Sequence, residues 1–290
     1  MLDLKIKGIG YDFNQKMEGM LQLIYTHFPV DGTAFARSDY ETVASIPYYG
    51  SFDIVGHFDR ITQCCAGARE LPRHGNRCRK ESEMKTILFQ GDSITDTLHA
   101  EEYICAMGYG YAGYVAARLG LESPNAYRFI NRGVGGNRIT DLYARIKNDI
   151  INIKPDVLSI LIGVNDAWHE FLNQNGVSTD KFIKIYKMLL DEVKEALPAT
   201  TIILMEPFVL KSEGIADYFE AFQKNVFEKA RVVRQIAQEY GLPFVELQSD
   251  LDRLVQKAPN EYWLLDGVHP TIYFHQYIAD KWIDTYKNVK

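Results

Sequence analysis

Cysteine is scarce in this chain, with four among 290 residues: Cys64, Cys65, Cys78 and Cys105. A disulfide-stapled secreted domain carries a denser set, so these read as reduced thiols. Cys64, Cys65, His74 and Cys78 match no common zinc-ligand spacing, and no metal is expected from them. Long apolar runs are also missing. No stretch approaches the ~18 apolar residues of a membrane span. Met1-Leu2-Asp3-Leu4-Lys5 is not followed by the apolar run of a secretion signal. A cytoplasmic protein with no membrane partner is the expectation. An excess of positive charge is absent too: 32 Lys and Arg stand against 38 Asp and Glu, for a formal net charge of −6. That balance leaves no electrostatic footprint for nucleic acid. No internal repeat is visible. What the chain does have is 47% hydrophobic and 12% aromatic residues, enough for a substantial core. Its length allows one large domain, or one domain and an appendage.

The composition shifts near residue 84. Residues 66–83 are polar, basic and broken by Gly and Pro, which reads as a linker. From Lys85 a regular rhythm begins. Apolar runs at 86–90, 127–131, 157–162, 201–205 and 244–247 read as buried strands. Between them lie helical patterns at 110–119 (stopped by Gly120), 140–152, 181–197 and 216–240 (closed by Gly241), and a last one at 272–286. In 140–152 the apolar residues Leu142, Ile146 and Ile150 recur every four positions. Strand and helix alternating in this way predict an α/β fold, a parallel sheet with helices on both faces. Residues that follow strands then converge at the carboxyl edge of the sheet.

Four short blocks carry chemistry. Ser93 sits in Gly91-Asp92-Ser93-Ile94-Thr95, directly after the first strand. Taken alone, a turn serine is a helix cap, as Asp92 and Thr95 are in the same turn. The turn is not the Gly-x-Ser-x-Gly elbow of α/β-hydrolases. Near the C-terminus, Asp266 and His269 stand three apart, with Pro270 biasing His269 toward extended backbone. A serine needs a base to take its proton, and the base works best when a carboxylate orients it. Ser93 is therefore read as nucleophile, His269 as general base and Asp266 as its orienting acid. The other two blocks, Gly133-Val134-Gly135-Gly136-Asn137 and Gly163-Val164-Asn165-Asp166, are donor-rich turns. A backbone N–H of Gly136, the Asn165 amide and the N–H of Ser93 are read as an oxyanion hole, with a Cβ at position 136 expected to crowd the substrate. Asp166 is read as a cap of the segment after it, and Gly135 and Asn137 as turn-formers.

These blocks, in this order, resemble the signature of the SGNH hydrolases, also called the GDSL family. Ile94 stands where that family usually has Leu. The likeness covers residues 85–290, the size of a whole such domain. It implies a three-layer α/β/α sandwich with a five-stranded parallel sheet, and chemistry that needs neither metal nor other cofactor. Gly108 through Val115, and Asn165-Asp166-Ala167-Trp168, look most like the acetyl xylan esterase and carbohydrate deacetylase branch. By that kinship the substrate is a small acyl ester of an oligosaccharide, and a homo-oligomer is expected. Lysophospholipid or thioester hydrolysis is the alternative within the same chemistry. Tyr109 and Trp168 are candidates to wall the acyl pocket or touch sugar, and Asp92 is a third candidate substrate contact.

Residues 51–60 resemble a stretch of the histidinol-phosphatase branch of the PHP phosphoesterases, where the residue matching His57 helps hold metal. The likeness spans residues 8–63 and lacks the His-x-His block and the remaining ligands, so His57 is expected to be inert. A metal-dependent phosphoesterase is the alternative from a different class, and a non-catalytic carbohydrate-binding protein is a third. The expected division is an appendage and linker at 1–83 and a hydrolase domain at 84–290, with the first part dispensable.

Overall fold

The computed structural model describes residues 84–99 and 106–289. Expectations for His57, His74, the four cysteines and the 66–83 linker lie outside those residues.

The described chain opens with β1 (Lys85–Gly91), a short helix α1 (Ser93–Asp96), α2 (Tyr111–Glu122) and β2 (Tyr127–Asn131). Next come α3 (Ile139–Ala144), a π-helical turn (Lys147–Ile151), β3 (Val157–Leu161), α4 (Val164–Asn173) and α5 (Thr179–Ala196). After β4 (Thr201–Met205), a 3₁₀ turn (Glu213–Tyr218) leads into α6 (Phe219–Tyr240). The chain ends with β5 (Phe244–Val245), α7 (Gln248–Leu254), α8 (Asn260–Trp263) and α9 (Ile272–Asn288). The five strands form one parallel sheet in the order β2-β1-β3-β4-β5.

Strand residues alternate between two cores. Ile87, Phe89, Val157, Ile203 and Met205 pack with Tyr111, Val115 and Leu119 of α2 and Phe274, Ile278 and Trp282 of α9. Leu88, Leu158, Ile160, Ile202 and Leu204 pack with Leu142 of α3, Phe182, Tyr186 and Leu189 of α5, and Val233 and Ile236 of α6. The result is the three-layer α/β/α sandwich that the family resemblance implied.

Several boundaries differ from expectation. Gly120 does not stop α2: it lies in open space, and the helix runs on until Ser123 caps the Leu119 carbonyl. The pattern at 140–152 is not one helix. Leu142, Ile146 and Ile150 are all buried, but Arg145 leaves helical dihedrals (φ −112°, ψ 15°) and the chain resumes as a π turn. The helix expected from 216 begins instead as the 3₁₀ turn, and its α-helical part starts at Phe219. The fifth strand stops at Val245. Glu206 Oε2 accepts the N–H groups of Leu247 and Gln248 at 2.7 and 2.9 Å, which turns the chain toward α7.

Candidate active site

A Cβ at Gly91 would lie 2.4 Å from both the Leu161 carbonyl oxygen and Thr95 Oγ1. Glycine alone lets the chain fold from β1 into α1 so tightly. Asp92 caps α1, its Oδ1 accepting the Ile94 N–H at 3.0 Å. Ser93 is thereby fixed as the first residue of that helix. Its Oγ lies 2.9 Å from His269 Nε2, a residue 176 positions away.

The His269 loop is built by one carboxylate. Asp266 Oδ1 accepts the N–H groups of Val268 and His269 at 3.0 and 2.8 Å, and Oδ2 lies 2.7 Å from His269 Nδ1. A bridge between Leu264 and Pro270 and the bond from Leu265 N–H to the His269 carbonyl (2.8 Å) close the turn. With the ring hydrogen on Nδ1 facing the carboxylate, Nε2 has a lone pair for the Ser93 hydroxyl. Burial works against the charge on Asp266, but the hydrogen bonds from the His269 ring and the two N–H groups outweigh it and hold its pKa at about 2. The same ring bond raises His269 above its ordinary value, against the opposing effect of burial.

The oxyanion candidates lie on the turn after β2 and at the start of α4. Asn131, at the end of β2, donates to the carbonyls of Thr95 and Met107 at 2.7 and 3.0 Å and accepts the Gly133 N–H at 2.9 Å. It ties the turn after β2 to the nucleophile helix. Gly136 has φ +78°, the left-handed region that favours glycine. An added Cβ there would meet only the His169 ring, at 3.9 Å. Backbone conformation is thus a visible requirement for glycine at this position. Asn165 is buried, and its amide donates to the Asn137 carbonyl at 3.2 Å. Its block is the first turn of α4, where a loop turn was expected.

Asp166 departs from its expected role. Both carboxylate oxygens lie 3.1 Å from the Ile139 N–H, so it caps α3 rather than the segment after it. Burial lifts its pKa to about 7, partly offset by that bond and by the Lys229 charge. Asp92, the third candidate substrate contact, is 0% exposed. Its burial raises it to about 7, against the Ile94 bond and the His269 charge.

Ser93, Ile94, Asp96, Thr97, Leu98, His269, Pro270 and His275 line a cavity of about 230 Å³. Tyr109 is exposed and lines a separate, larger cavity with Met107, Tyr114 and Ile272. Trp168 is half-buried, its ring centroid 6.0 Å from that of His269 and its Nε1 donating to the Tyr218 hydroxyl at 3.0 Å. Among the described residues, no group of three or more His, Cys, Asp or Glu side chains gathers to hold a metal ion, and no helix is long and apolar enough to cross a membrane.

Residues 89–277 match the model of the GDSL-like lipase/acylhydrolase family. The chain belongs to that family. It is a carboxylic ester hydrolase of the GDSL type. An acetylxylan esterase from Geobacillus stearothermophilus is 34% identical over 202 residues, covering 67% of this chain and 90% of the relative. The solved structure of that organism's acetylxylan esterase Axe2 superposes with a TM-score of 0.63, covering 69% of this chain and 93% of Axe2 at 31% identity. A GDSL-like protein from Parabacteroides merdae gives a TM-score of 0.67 at 34% identity, over 71% of this chain and 96% of its own.

Two further residues of this GDSL site escaped the sequence reading. Arg145 lies behind it, donating to the Arg132 carbonyl at 2.9 Å, Asn137 Oδ1 at 3.0 Å and Gln90 Oε1 at 2.8 Å, and pairing with Asp149. Nothing local in the sequence marks it. His275 lies on the buried stripe of α9 with Phe274, Ile278, Ala279 and Trp282. A histidine on an apolar stripe was the legible signal.

Proposed function

We propose that the enzyme is a serine esterase that removes small acyl groups, acetyl foremost, from oligosaccharide esters through an acyl-enzyme. The observation that carries the reading is the relay from Ser93 Oγ to His269 Nε2 (2.9 Å) and from His269 Nδ1 to Asp266 Oδ2 (2.7 Å). In this reading Ser93 Oγ attacks the ester carbonyl carbon while His269 Nε2 takes the hydroxyl proton. The carbonyl electron pair moves onto oxygen, facing the N–H groups of Ser93 and Gly136 and the Asn165 amide. On collapse the bond to the alcohol oxygen breaks, and His269 returns the proton to that oxygen. Water then repeats the sequence on the acyl-enzyme and frees the carboxylic acid. Asp266 holds the imidazole and steadies its charged form.

Kinship supports the substrate class. The Geobacillus relative is an acetylxylan esterase, and solved forms of Axe2 include catalytic mutants in which a serine or an aspartate is replaced by alanine. The deciding experiment compares the parent with Ser93→Ala on acetylated xylo-oligosaccharides and on aryl esters of rising acyl length. Turnover should fall by at least ~10³-fold in the variant, and the parent should prefer acetyl. Equal turnover by the two proteins rejects the nucleophile. A parent preferring long acyl chains, lysophospholipids or thioesters rejects the substrate while leaving the chemistry standing.

A further inference from the structure

His275 takes no part in the proton relay, yet it lines the cavity that Ser93 and His269 share. It is 6% exposed. Its Nδ1 accepts the N–H of Tyr111, the first residue of α2, at 3.2 Å. The lone pair is therefore on Nδ1 and the ring hydrogen on Nε2. Among the described residues nothing accepts from Nε2, and that atom is not one of the sealed polar atoms left without a partner. Nε2–H is thus accessible on a side chain that lines the cavity. Burial, helped by the nearby His269 charge, pulls His275 down to about 4, so the ring is neutral at working pH. The amino end of α2 at Nδ1 also polarises the ring and strengthens Nε2–H as a donor.

The cavity indicates which part of an ester meets that donor. It includes His269, which hands its proton to the leaving oxygen, and neither Gly136 nor Asn165 borders it. The alcohol half of the ester belongs there. We propose that His275 is a specificity-determining residue whose Nε2–H binds a hydroxyl oxygen on the alcohol half of the substrate, selecting polyhydroxy alcohols over hydrocarbon ones. A hydrocarbon alcohol leaves the buried N–H without a partner, which disfavours it. The inference rests on the esterase reading.

Two acetates with three-carbon alcohols separate the ideas: glycerol 1-acetate carries hydroxyls and propyl acetate does not. The readout is the ratio of their kcat/KM values in the parent, His275→Asn and His275→Phe. Asparagine keeps an acceptor for the Tyr111 N–H but does not reach the Nε2 position; phenylalanine removes both. The parent should favour glycerol acetate, and the ratio should drop roughly three- to ten-fold in each variant, with Tm lowered more in His275→Phe. The ratio is independent of the folded fraction, so partial misfolding leaves it readable. An unchanged ratio in His275→Asn, or a parent that does not discriminate, overturns the proposal. Survival of both activities in Ser93→Ala would instead overturn the esterase reading. Failure of the parent on acetylated xylosides alone would overturn only the sugar assignment.

Discussion

His269 is useful as a base only when it is neutral, and its bond to Asp266 favours the charged form. Its pKa is raised, so kcat/KM should climb with pH through a limb centred above 6.5. In Asp266→Asn that limb should move down, and the rate should fall by ~10²-fold or more as the ring loses its tautomer control. A pH–rate profile of both proteins checks this; an unmoved limb would separate Asp266 from His269. The pair also affects stability, with opposite signs at its two ends. The depressed Asp266 contributes above pH ~3.8 and loses that contribution as pH falls through about 2. The raised His269 contributes fully below ~6.5 and loses it as pH rises through its folded value. Asp92 works the other way from Asp266. Its pKa of about 7 lies above the unfolded 3.8, so stability present below ~4 is lost as pH climbs through 7. Asp92→Asn should therefore gain Tm relative to the parent at pH 8 and much less at pH 4. Equal shifts at both pH values would mean the carboxyl is not buried uncharged.

Among the elements, the break at Arg145 has the clearest purpose. The helix gives up one regular turn, and the guanidinium gains the Arg132, Asn137 and Gln90 oxygens. Those belong to the end of β1 and the turn that carries Gly136. Arg145→Met should lower kcat roughly ten-fold with little change in KM and should lower Tm. Arg145→Lys should restore little, because an ammonium cannot hold three oxygens in one plane. Steady-state kinetics on an aryl acetate decides it; full rescue by lysine would reduce the role to charge. This region also shows what the sequence could reveal. The stripe Leu142, Ile146, Ile150 correctly marked a buried face, because burial follows spacing. The interruption came from a long-range hydrogen-bond network that no local window contains. The same holds at Val245, where Glu206, forty-one residues before Leu247, turns the chain. The Asn165 block read as a loop because Gly163 and Asn165 favour turns. Its helical start follows from packing, with Val164 and Ala167 buried in the core.

For the whole molecule, strand order explains why three separated blocks meet. β1 lies between β2 and β3, so the turn carrying Ser93 is flanked by the turn after β2 and the first turn of α4. That each block follows a strand was legible in the sequence. Which strands are neighbours was not, since it depends on how the crossovers wind. Residues 84–290 contain every group named in the reaction, and we expect a chain beginning at Met84 to retain kcat/KM within about two-fold of the full-length protein. An insoluble or inactive product would assign the first eighty-three residues an essential part.

Ser93 and His269 lie 176 positions apart and touch only in the finished fold. The last helix is not an add-on to a finished sheet, since its Phe274, Ile278 and Trp282 share one core with Ile87 and Phe89 of β1. Two fragments divided anywhere between Ser93 and His269 should therefore be inert apart and active only once rejoined.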